Sequence, residues 1–524
     1  MIRSCRRILL AIAVTVTLAA VAWAERIIPV NVAGTGNWVF DQPSVVANGT
    51  VLHVAFVGDN AVSGSTNTRL YYAAINGAAD FTNKLTTDNQ VRLTAPVAID
   101  NGDVYTDARH PQIALRSATE AVILFQALPG VGADYKLFRA RVTLDNNAVT
   151  FNQVRQVLDN SSGPMANSLV DPSFGVVTTD NTLRVAYTDN STGDVYYARV
   201  WLDNAALVRA PIALTIPTPT AQLCTSGASI APLPRLRLEG TTRSHVAWAA
   251  GTAPSTSVIC YSMVKETSGI DNLAIGATPV LSSSYRWGFP NVLLPTAGRV
   301  LILAGVDSGT IGEPGYLGTA YLNPDAVTHD GNPVTVENLI PGAFFHVFPP
   351  GSDTPLSSIF SVYHPEASLD ASNRVHVAGY GSATGAYFNA GTYFTMSLLG
   401  VTTTTTTAGN IADLISRGVP VGTDHLAFAM SLPGDYTRPA FVHFNGKAIL
   451  FWSGQDNVVA GSRNLYVTSA LSSTDPPVPV KQSGCSMVDD PRRGEAGRIP
   501  GAAVLLLPAA LLALRRATRK AFAR

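Results

Sequence analysis

A block anchored by a proline recurs seven times along this chain of 524 residues, and the repeat limits the folds that are possible. Successive anchors are separated by 68, 61, 62, 56, 75 and 74 residues. The anchors are Pro43, Pro111, Pro172, Pro234, Pro290, Pro365 and Pro439. After each anchor come a short alternating segment, a turn and a strongly apolar segment. Since one such unit cannot bury its apolar faces alone, the repeat predicts seven β units that pack against one another.

The turns and the later segments of each block agree with this prediction. Turn sequences such as Asn48-Gly49 and Asn445-Gly446 tolerate the positive φ angles that a tight hairpin requires. Third segments carry aromatic residues, as in Tyr71-Tyr72 and Tyr196-Tyr197. With 43 Gly, 33 Pro and only 14% charged residues, the composition suits many short buried strands. The sequence therefore predicts an all-β fold, a seven-bladed β-propeller.

The two ends of the repeat predict how the ring closes. The seventh block lacks a clear fourth strand, because the chain from Ser472 onward is a proline-rich linker. The apolar segment Ile27–Val32 precedes the first block and has no partner of its own. We therefore expect this N-terminal segment to be the outer strand of the last blade, within a propeller that spans residues 25–471.

The first 24 residues have the features of a signal peptide. Arg3, Arg6 and Arg7 precede an apolar run from residue 8 to 21, and a small-residue cleavage site follows. Cleavage between Ala24 and Glu25 would begin the mature chain. The alternative is an uncleaved membrane anchor.

The C-terminal region predicts a second targeting signal. A linker at 472–498 contains Gly484-Cys485, and residues 499–524 comprise an apolar run and a basic end. This arrangement resembles the C-terminal sorting signals of Gram-negative bacteria, which a membrane protease of the envelope processes. The resemblance implies that protease as a partner and the cell surface or extracellular space as the location. The alternative is a plain membrane anchor, which would hold the propeller outside the cell through its C-terminal segment.

Charge and cysteine content restrict the possible ligands. Residues 25–484 contain 25 basic and 33 acidic side chains, so the exported part has a net charge of −8. Nucleic acid is not expected as a partner, because phosphate binding needs concentrated lysine and arginine. Cys224 and Cys260 are the two cysteines of the propeller region, and in an exported protein they are expected to form a disulfide. No metal site or other cofactor is predicted, since no Cys-x-x-Cys motif or histidine cluster accompanies them.

Polar residues near the anchor prolines are the candidate ligand-binding residues. They would enter the innermost strands at the mouth of a central channel. Arginines from different blades would grip a carboxylate or phosphate, and carboxylates beside them would suit acid–base chemistry. The set comprises Asp41, Arg109, His110, Asp171, Arg286, His364, Glu366 and Arg438.

In the texture of its repeats the body, residues 38–471, resembles the sialidase-like propeller superfamily, in which a set of axial arginines is part of the site. That resemblance implies a glycan ligand. Block one reads Phe40-Asp41-Gln42-Pro43 where the superfamily has Phe-Arg-Ile-Pro, and the repeated Asp-box of the superfamily is absent. No catalytic role is therefore carried over to any residue.

Three hypotheses for the function follow. The first is an exported, envelope-associated propeller that binds a glycan, a protein or a cell-wall component on its loop face without catalysis. The second is a divergent glycoside hydrolase or lyase that uses the axial residues. The third is a structural envelope component, because a wet channel accommodates polar residues without any ligand. Histidines at a shared position of the second strands, His53, His245 and His376, are expected to have packing or hydrogen-bonding roles.

Overall fold

The computed structural model describes the parts of the chain that form its sheets. The described residues are 28–30, 38–60, 68–78, 93–94, 97–99, 105–130, 135–157, 169–189, 193–214, 224, 233–253, 256–267, 269–281, 287–306, 317–326, 344–345, 360–369, 374–383, 386–397, 426–427, 440–444, 447–455 and 463–472. Nearly all of them lie in β-strands, and one short 3-10 helix spans Pro324–Ala326. The described part contains no helix of the length and apolarity that a membrane crossing requires. The predicted signal peptide at 1–24 and the C-terminal signal at 484–524 lie outside these ranges.

The strands follow the block structure of the sequence. In the first four blocks the strands are β1 Ile28–Val30, β2 Trp38–Asn48, β3 Val51–Asn60, β4 Arg69–Asn76, β5 Val97–Ala98, β6 Thr106–Leu115, β7 Glu120–Leu128, β8 Lys136–Asp145, β9 Ala148–Val157, β10 Leu169–Val177, β11 Thr182–Asp189, β12 Val195–Trp201, β13 Ile212–Ala213, β14 Arg235–Glu239, β15 Arg243–Ala253, β16 Thr256–Thr267 and β17 Ile270–Leu281. In the last three blocks they are β18 Trp287–Leu293, β19 Val300–Val306, β20 Leu317–Leu322, β21 Phe344–Phe345, β22 Phe360–Leu369, β23 Arg374–Ala383, β24 Ala386–Ser397, β25 Leu426–Ala427, β26 Ala440–Phe444, β27 Lys447–Gln455 and β28 Arg463–Ser472.

The strands pair into antiparallel sheets of consecutive strands. Five sheets have four strands each: β6–β9, β10–β13, β14–β17, β18–β21 and β22–β25. The remaining strands form an eight-stranded sheet with two groups, β2–β5 and β26–β28 together with β1. The two groups meet at one parallel pair, Val39 and Arg463. Strand β1 pairs antiparallel with β28, with Ile28 opposite Val467 and Val30 opposite Leu465.

In five of the seven blocks the anchor proline lies at a β-bulge inside the first strand. The register shifts between Asp41 and Ser44 in β2, and equivalent shifts occur in β10, β18 and β22. The residue before the proline has a positive φ of 53° at Gln42, 49° at His110, 45° at Leu233 and 52° at Phe289. Left-handed backbone costs a non-glycine residue roughly 1–3 kcal/mol. Because proline has no N–H group to place in a ladder, a bulge is a suitable position for it.

The hydrophobic core lies between neighbouring sheets. Apolar clusters join β2–β4 to β26–β28, β2–β4 to β6–β9, β7–β8 to β10–β12, β11–β12 to β14–β17, and β15–β17 to β18–β20. In the first cluster the ring of Phe40 packs edge-on against the rings of Phe56 and Tyr71. From β2–β5 through β14–β17, these sheet-to-sheet contacts bury both faces of each sheet, which explains their apolar second strands.

Two sequence predictions are confirmed within this core. Cys224 and Cys260 form a disulfide, and both are fully buried. Nδ1 of His53 lies 2.7 Å from the hydroxyl of Tyr72, and Nδ1 of His245 lies 2.7 Å from the hydroxyl of Tyr261. The second-strand histidines at these two positions are therefore packing and hydrogen-bonding residues, while the side chain of His376 lies outside the described part of the structure.

The first strands of the blocks contact one another in a closed series. Strand β2 contacts β6, and the series continues through β10, β14, β18, β22 and β26. Strand β26 then contacts β2 again. These seven strands are the innermost elements of the described fold, and they position the site.

Candidate ligand-binding cavity

The seven first strands surround a cavity of about 520 Å³. Cavities of this size hold small organic ligands. Every first strand contributes lining residues, which lie between the residue before the anchor proline and the fourth residue after it. Because a strand rises about 3.3 Å per residue, this span corresponds to roughly 16 Å of strand.

The lining changes character from one residue position to the next. The first residue after the anchor proline is polar in six of the seven strands. These residues are Ser44, Gln112, Ser173, Arg235, Asn291 and Glu366, with Ala440 as the exception. The second residue is apolar in every strand: Val45, Ile113, Phe174, Leu236, Val292, Ala367 and Phe441. The cavity therefore has a polar ring next to an apolar ring.

Three members of the polar ring connect neighbouring sheets. Oγ of Ser44 accepts a hydrogen bond from the N–H of Ile113 at 3.1 Å, and Oγ of Ser173 accepts one from Leu236 at 2.9 Å. Asn291 makes two hydrogen bonds to the next sheet: its Nδ2 donates to the carbonyl of Pro365 at 2.6 Å, and its Oδ1 accepts from the N–H of Ala367 at 3.2 Å. The same hydrogen bond thus recurs three times. In each case the side chain of the first residue after one anchor proline accepts from the backbone N–H of the second residue after the next anchor proline.

The other polar members have longer side chains, and two of them form an ion pair. Arg235 on β14 donates to Oε1 of Glu366 on β22. The pair bridges two sheets that are not neighbours, since β18 lies between them in the series. Both side chains are half-buried, with 17% and 21% of their surface exposed. Nε of Arg235 is buried and has no hydrogen-bond partner among the described residues.

A second arginine, Arg237, lies two residues beyond Arg235 and also lines the cavity. Its side chain is exposed to the cavity, and the surrounding protein lowers its pKa below that of an ordinary arginine. Glu366 acts in the opposite direction and raises the pKa, whereas Arg235 lowers it. Arg237 has no hydrogen bond or ion pair with any described residue. The three charged side chains together carry a net charge of +1.

Two of the predicted ligand-binding residues, His110 and Glu366, line the cavity. Two others lie outside its lining. Asp41 is buried and accepts a hydrogen bond from the N–H of Gln42 at 2.7 Å. Arg109 forms a 2.7 Å salt bridge with Asp107 and stacks over the ring of Tyr135 at 4.5 Å.

The remaining predicted residues fall in parts that are not fully described. For Asp171 and His364 the structure describes the strand but not the side chain. Arg286, Arg438 and the processing residues Ala24, Glu25, Gly484 and Cys485 lie outside the described ranges. Within the described part, no group of three or more side chains of the metal-ligating types is found.

Sequence reasoning missed the two arginines of β14 and the lining histidine His443. The relevant signal was the alternation Arg235-Leu236-Arg237-Leu238 directly after Pro234. An alternating strand places both arginines on one side and both leucines on the other. The predicted set was drawn from residues near the start of each block, mostly just before the proline. In this block that residue is Leu233, so the two arginines were not included.

Comparison with known proteins gives no family for the chain. No protein-family model matches it, and no curated protein sequence matches it. Among solved structures, an α-L-arabinofuranosidase from Lactobacillus brevis is 13% identical with a TM-score of 0.33, covering 55% of this chain and 93% of that one. An endo-arabinase from Bacteroides thetaiotaomicron is 10% identical with a TM-score of 0.34, covering 71% and 98%. Levansucrase from Bacillus subtilis is 10% identical with a TM-score of 0.35, covering 71% and 86%. Values this low assign neither a substrate nor an activity to the chain.

Proposed function

We propose that the chain is a seven-bladed β-propeller, closed by β1, and that it binds a glycan in its central cavity without catalysis. The strand pairing supports the architecture. Five four-stranded sheets, together with β2–β5 and with β26–β28 plus β1, give seven units of four strands. The closed series of contacts among the first strands supports their arrangement around one axis.

The lining of the cavity is the observation that carries the binding function. A saccharide presents hydroxyl groups around its edge and apolar C–H groups on its faces. The cavity lining offers donors and acceptors such as Gln112 and Ser368, and the aromatic rings of Phe174 and Phe441 offer apolar surface beside the polar residues. Polar groups that converge beside apolar surface are typical of ligand sites. The cavity thus replaces the outer loops as the expected binding surface.

The charges of the cavity favour binding over hydrolysis. Glycoside hydrolysis uses two carboxyl groups about 5–10 Å apart across the scissile bond. Among the described lining residues Glu366 is the only carboxylate, and it is already paired with Arg235. The alternative, a divergent sialidase-like glycoside hydrolase or lyase, therefore depends on the side chain of Asp171 as the second carboxylate.

Export to the cell envelope completes the proposal. The disulfide between Cys224 and Cys260 supports it, because such bonds persist in oxidising compartments. The signal peptide at 1–24 would direct export. The C-terminal signal around Gly484-Cys485 would hold the chain in the membrane or pass it to an envelope protease for release.

A glycan array tests this function. The purified chain is expected to retain a defined set of saccharides, and Gln112→Ala in the cavity should weaken that retention. Arg109→Ala is the matched control, because Arg109 lies outside the lining and should not affect binding. Failure of the chain to retain any saccharide would contradict the proposal. Equal loss in both variants would place the site elsewhere, and release of shorter saccharides would favour the hydrolase.

A further inference from the structure

The two arginines of β14 differ in whether a carboxylate of the protein neutralises their charge. Arg235 and Arg237 are two residues apart on one strand, so they lie on the same side of it, roughly 6.6 Å apart along the strand. Arg235 is held by the carboxylate of Glu366. Arg237 lines the cavity, is exposed to it, and has no ion-pair partner among the described residues. Of the six lining residues at its position after the proline, it alone is charged.

A guanidinium that lines a cavity without an ion-pair partner favours the binding of an anion. A cleft lined by one sign of charge raises the local concentration of ligands of the opposite sign. A guanidinium offers a planar set of donors that matches an oxyanion in a bidentate geometry. Glu366 supplies such an oxyanion to Arg235 from within the protein, whereas nothing described supplies one to Arg237.

We propose that the ligand bears one oxyanion group, which binds Arg237, and that Glu366 acts as a resident carboxylate that keeps Arg235 from binding a second one. The inference rests on the proposed binding function of the cavity and names its ligand class, a saccharide with a carboxylate or a sulfate. Because the charges of Arg235 and Glu366 cancel, the remaining charge of the three described charged side chains in the lining matches a monoanion. A dianionic saccharide would have to displace Glu366 from Arg235 and leave that carboxylate without its partner.

Isothermal titration of the full chain with small probes tests the first half of the proposal. The probes are D-glucuronate for the carboxylate, D-glucose 6-sulfate for the sulfate, and neutral D-glucose. At least one anionic probe should bind about tenfold or more tightly than glucose, the size of one charged hydrogen bond. Arg237→Gln should abolish this preference. Arg155→Gln, at an exposed arginine of β9 outside the cavity lining, should preserve it.

Glu366→Gln tests the second half, because it keeps the shape of the side chain and releases Arg235. It should tighten binding of the anionic probe about tenfold and allow binding of the dianion D-glucarate. Arg235→Gln gives the reciprocal test: it frees Glu366 to pair with Arg237, so anionic binding should fall although Arg237 is intact. The two variants therefore have opposite expected effects, which a general loss of folding does not produce.

The outcomes separate this inference from the proposed function. If the chain binds saccharides on the array but prefers none of the anionic probes over glucose, the inference fails and the binding function stands. If Glu366→Gln weakens binding as Arg235→Gln does, Glu366 contacts the ligand and is not a competitor for Arg235. If no saccharide binds in either experiment, the proposed function itself fails.

Discussion

Among substitutions of single polar residues in the cavity wall, replacement of Asn291 by alanine should be one of the most destabilising. The Asn291 side chain is 4% exposed and makes two hydrogen bonds to the strand of the next sheet. Each such bond contributes roughly 1 kcal/mol, and a buried group left without a partner costs about 1–3 kcal/mol. Asn291→Ala leaves the carbonyl of Pro365 and the N–H of Ala367 without this hydrogen-bond partner. The expected loss in the free energy of unfolding is about 2–4 kcal/mol.

The serines at the equivalent positions make this a graded test. Ser173→Ala removes one buried hydrogen bond and should cost about 1–2 kcal/mol. Ser44 is only half-buried, so water can replace its hydroxyl, and Ser44→Ala should cost about 0.5–1 kcal/mol. Asn204→Ala, which removes an exposed local hydrogen bond to Ala206, is the control, and its effect should stay within about 0.5 kcal/mol.

Urea titration measures these losses, since the buried Trp248 and Trp287 report unfolding by fluorescence. The predicted order of destabilisation is Asn291, then Ser173, then Ser44. An Asn291→Ala variant that is as stable as the control would refute the argument that this side chain connects the two sheets. An inverted order of Ser173 and Ser44 would refute the argument from burial.

Three further perturbations have defined expected outcomes. Replacing Cys224 and Cys260 by alanine opens a loop whose ends are 36 residues apart, which should cost about 3–4 kcal/mol and lower the melting temperature in calorimetry; an unchanged transition would contradict the disulfide. Burial lowers the pKa of His53 from 6.5 to about 4, so the unfolded chain takes up its proton first and stability falls as the pH decreases from about 6.5 to about 4. His53→Gln should remove that part of the pH dependence, and an identical pH profile would show that His53 does not cause it. Gly58→Ala places a Cβ atom 2.7 Å from ring carbons of Phe40 and should cost about 1–3 kcal/mol, whereas Gly288→Ala, which meets no atom within 4 Å, should be nearly neutral; equal effects would contradict this packing.

The sheet structure was the most predictable part of the molecule. Anchor prolines, hairpin turns such as Asn48-Gly49 and apolar second strands are local signals, and each has a direct physical cause. Gly49 has the expected positive φ of 57°. The pairing of Cys224 with Cys260 was predictable because residues 25–471 contain only these two cysteines, which leaves one possible intramolecular bridge there.

The candidate site was only partly predictable, because bulges change the phase of a strand. An extra residue at the proline shifts which positions face the cavity, and the sequence does not reveal how many residues a bulge contains. In β6 the register shifts twice, so Arg109 pairs with Asp107 away from the cavity while His110 lines it. In the block of β14 the residue before the anchor proline is Leu233, and the charged residues Arg235 and Arg237 follow the proline instead.

A crystal structure of the chain with the saccharide that binds most tightly on the array tests the central claim most directly. We expect seven four-stranded units around one axis, with the sugar inside the ring and its anionic group at hydrogen-bonding distance from the guanidinium of Arg237. A sugar bound on the outer loops beside an empty cavity would contradict the account. So would a structure in which β1 is not beside β28 or the units do not number seven.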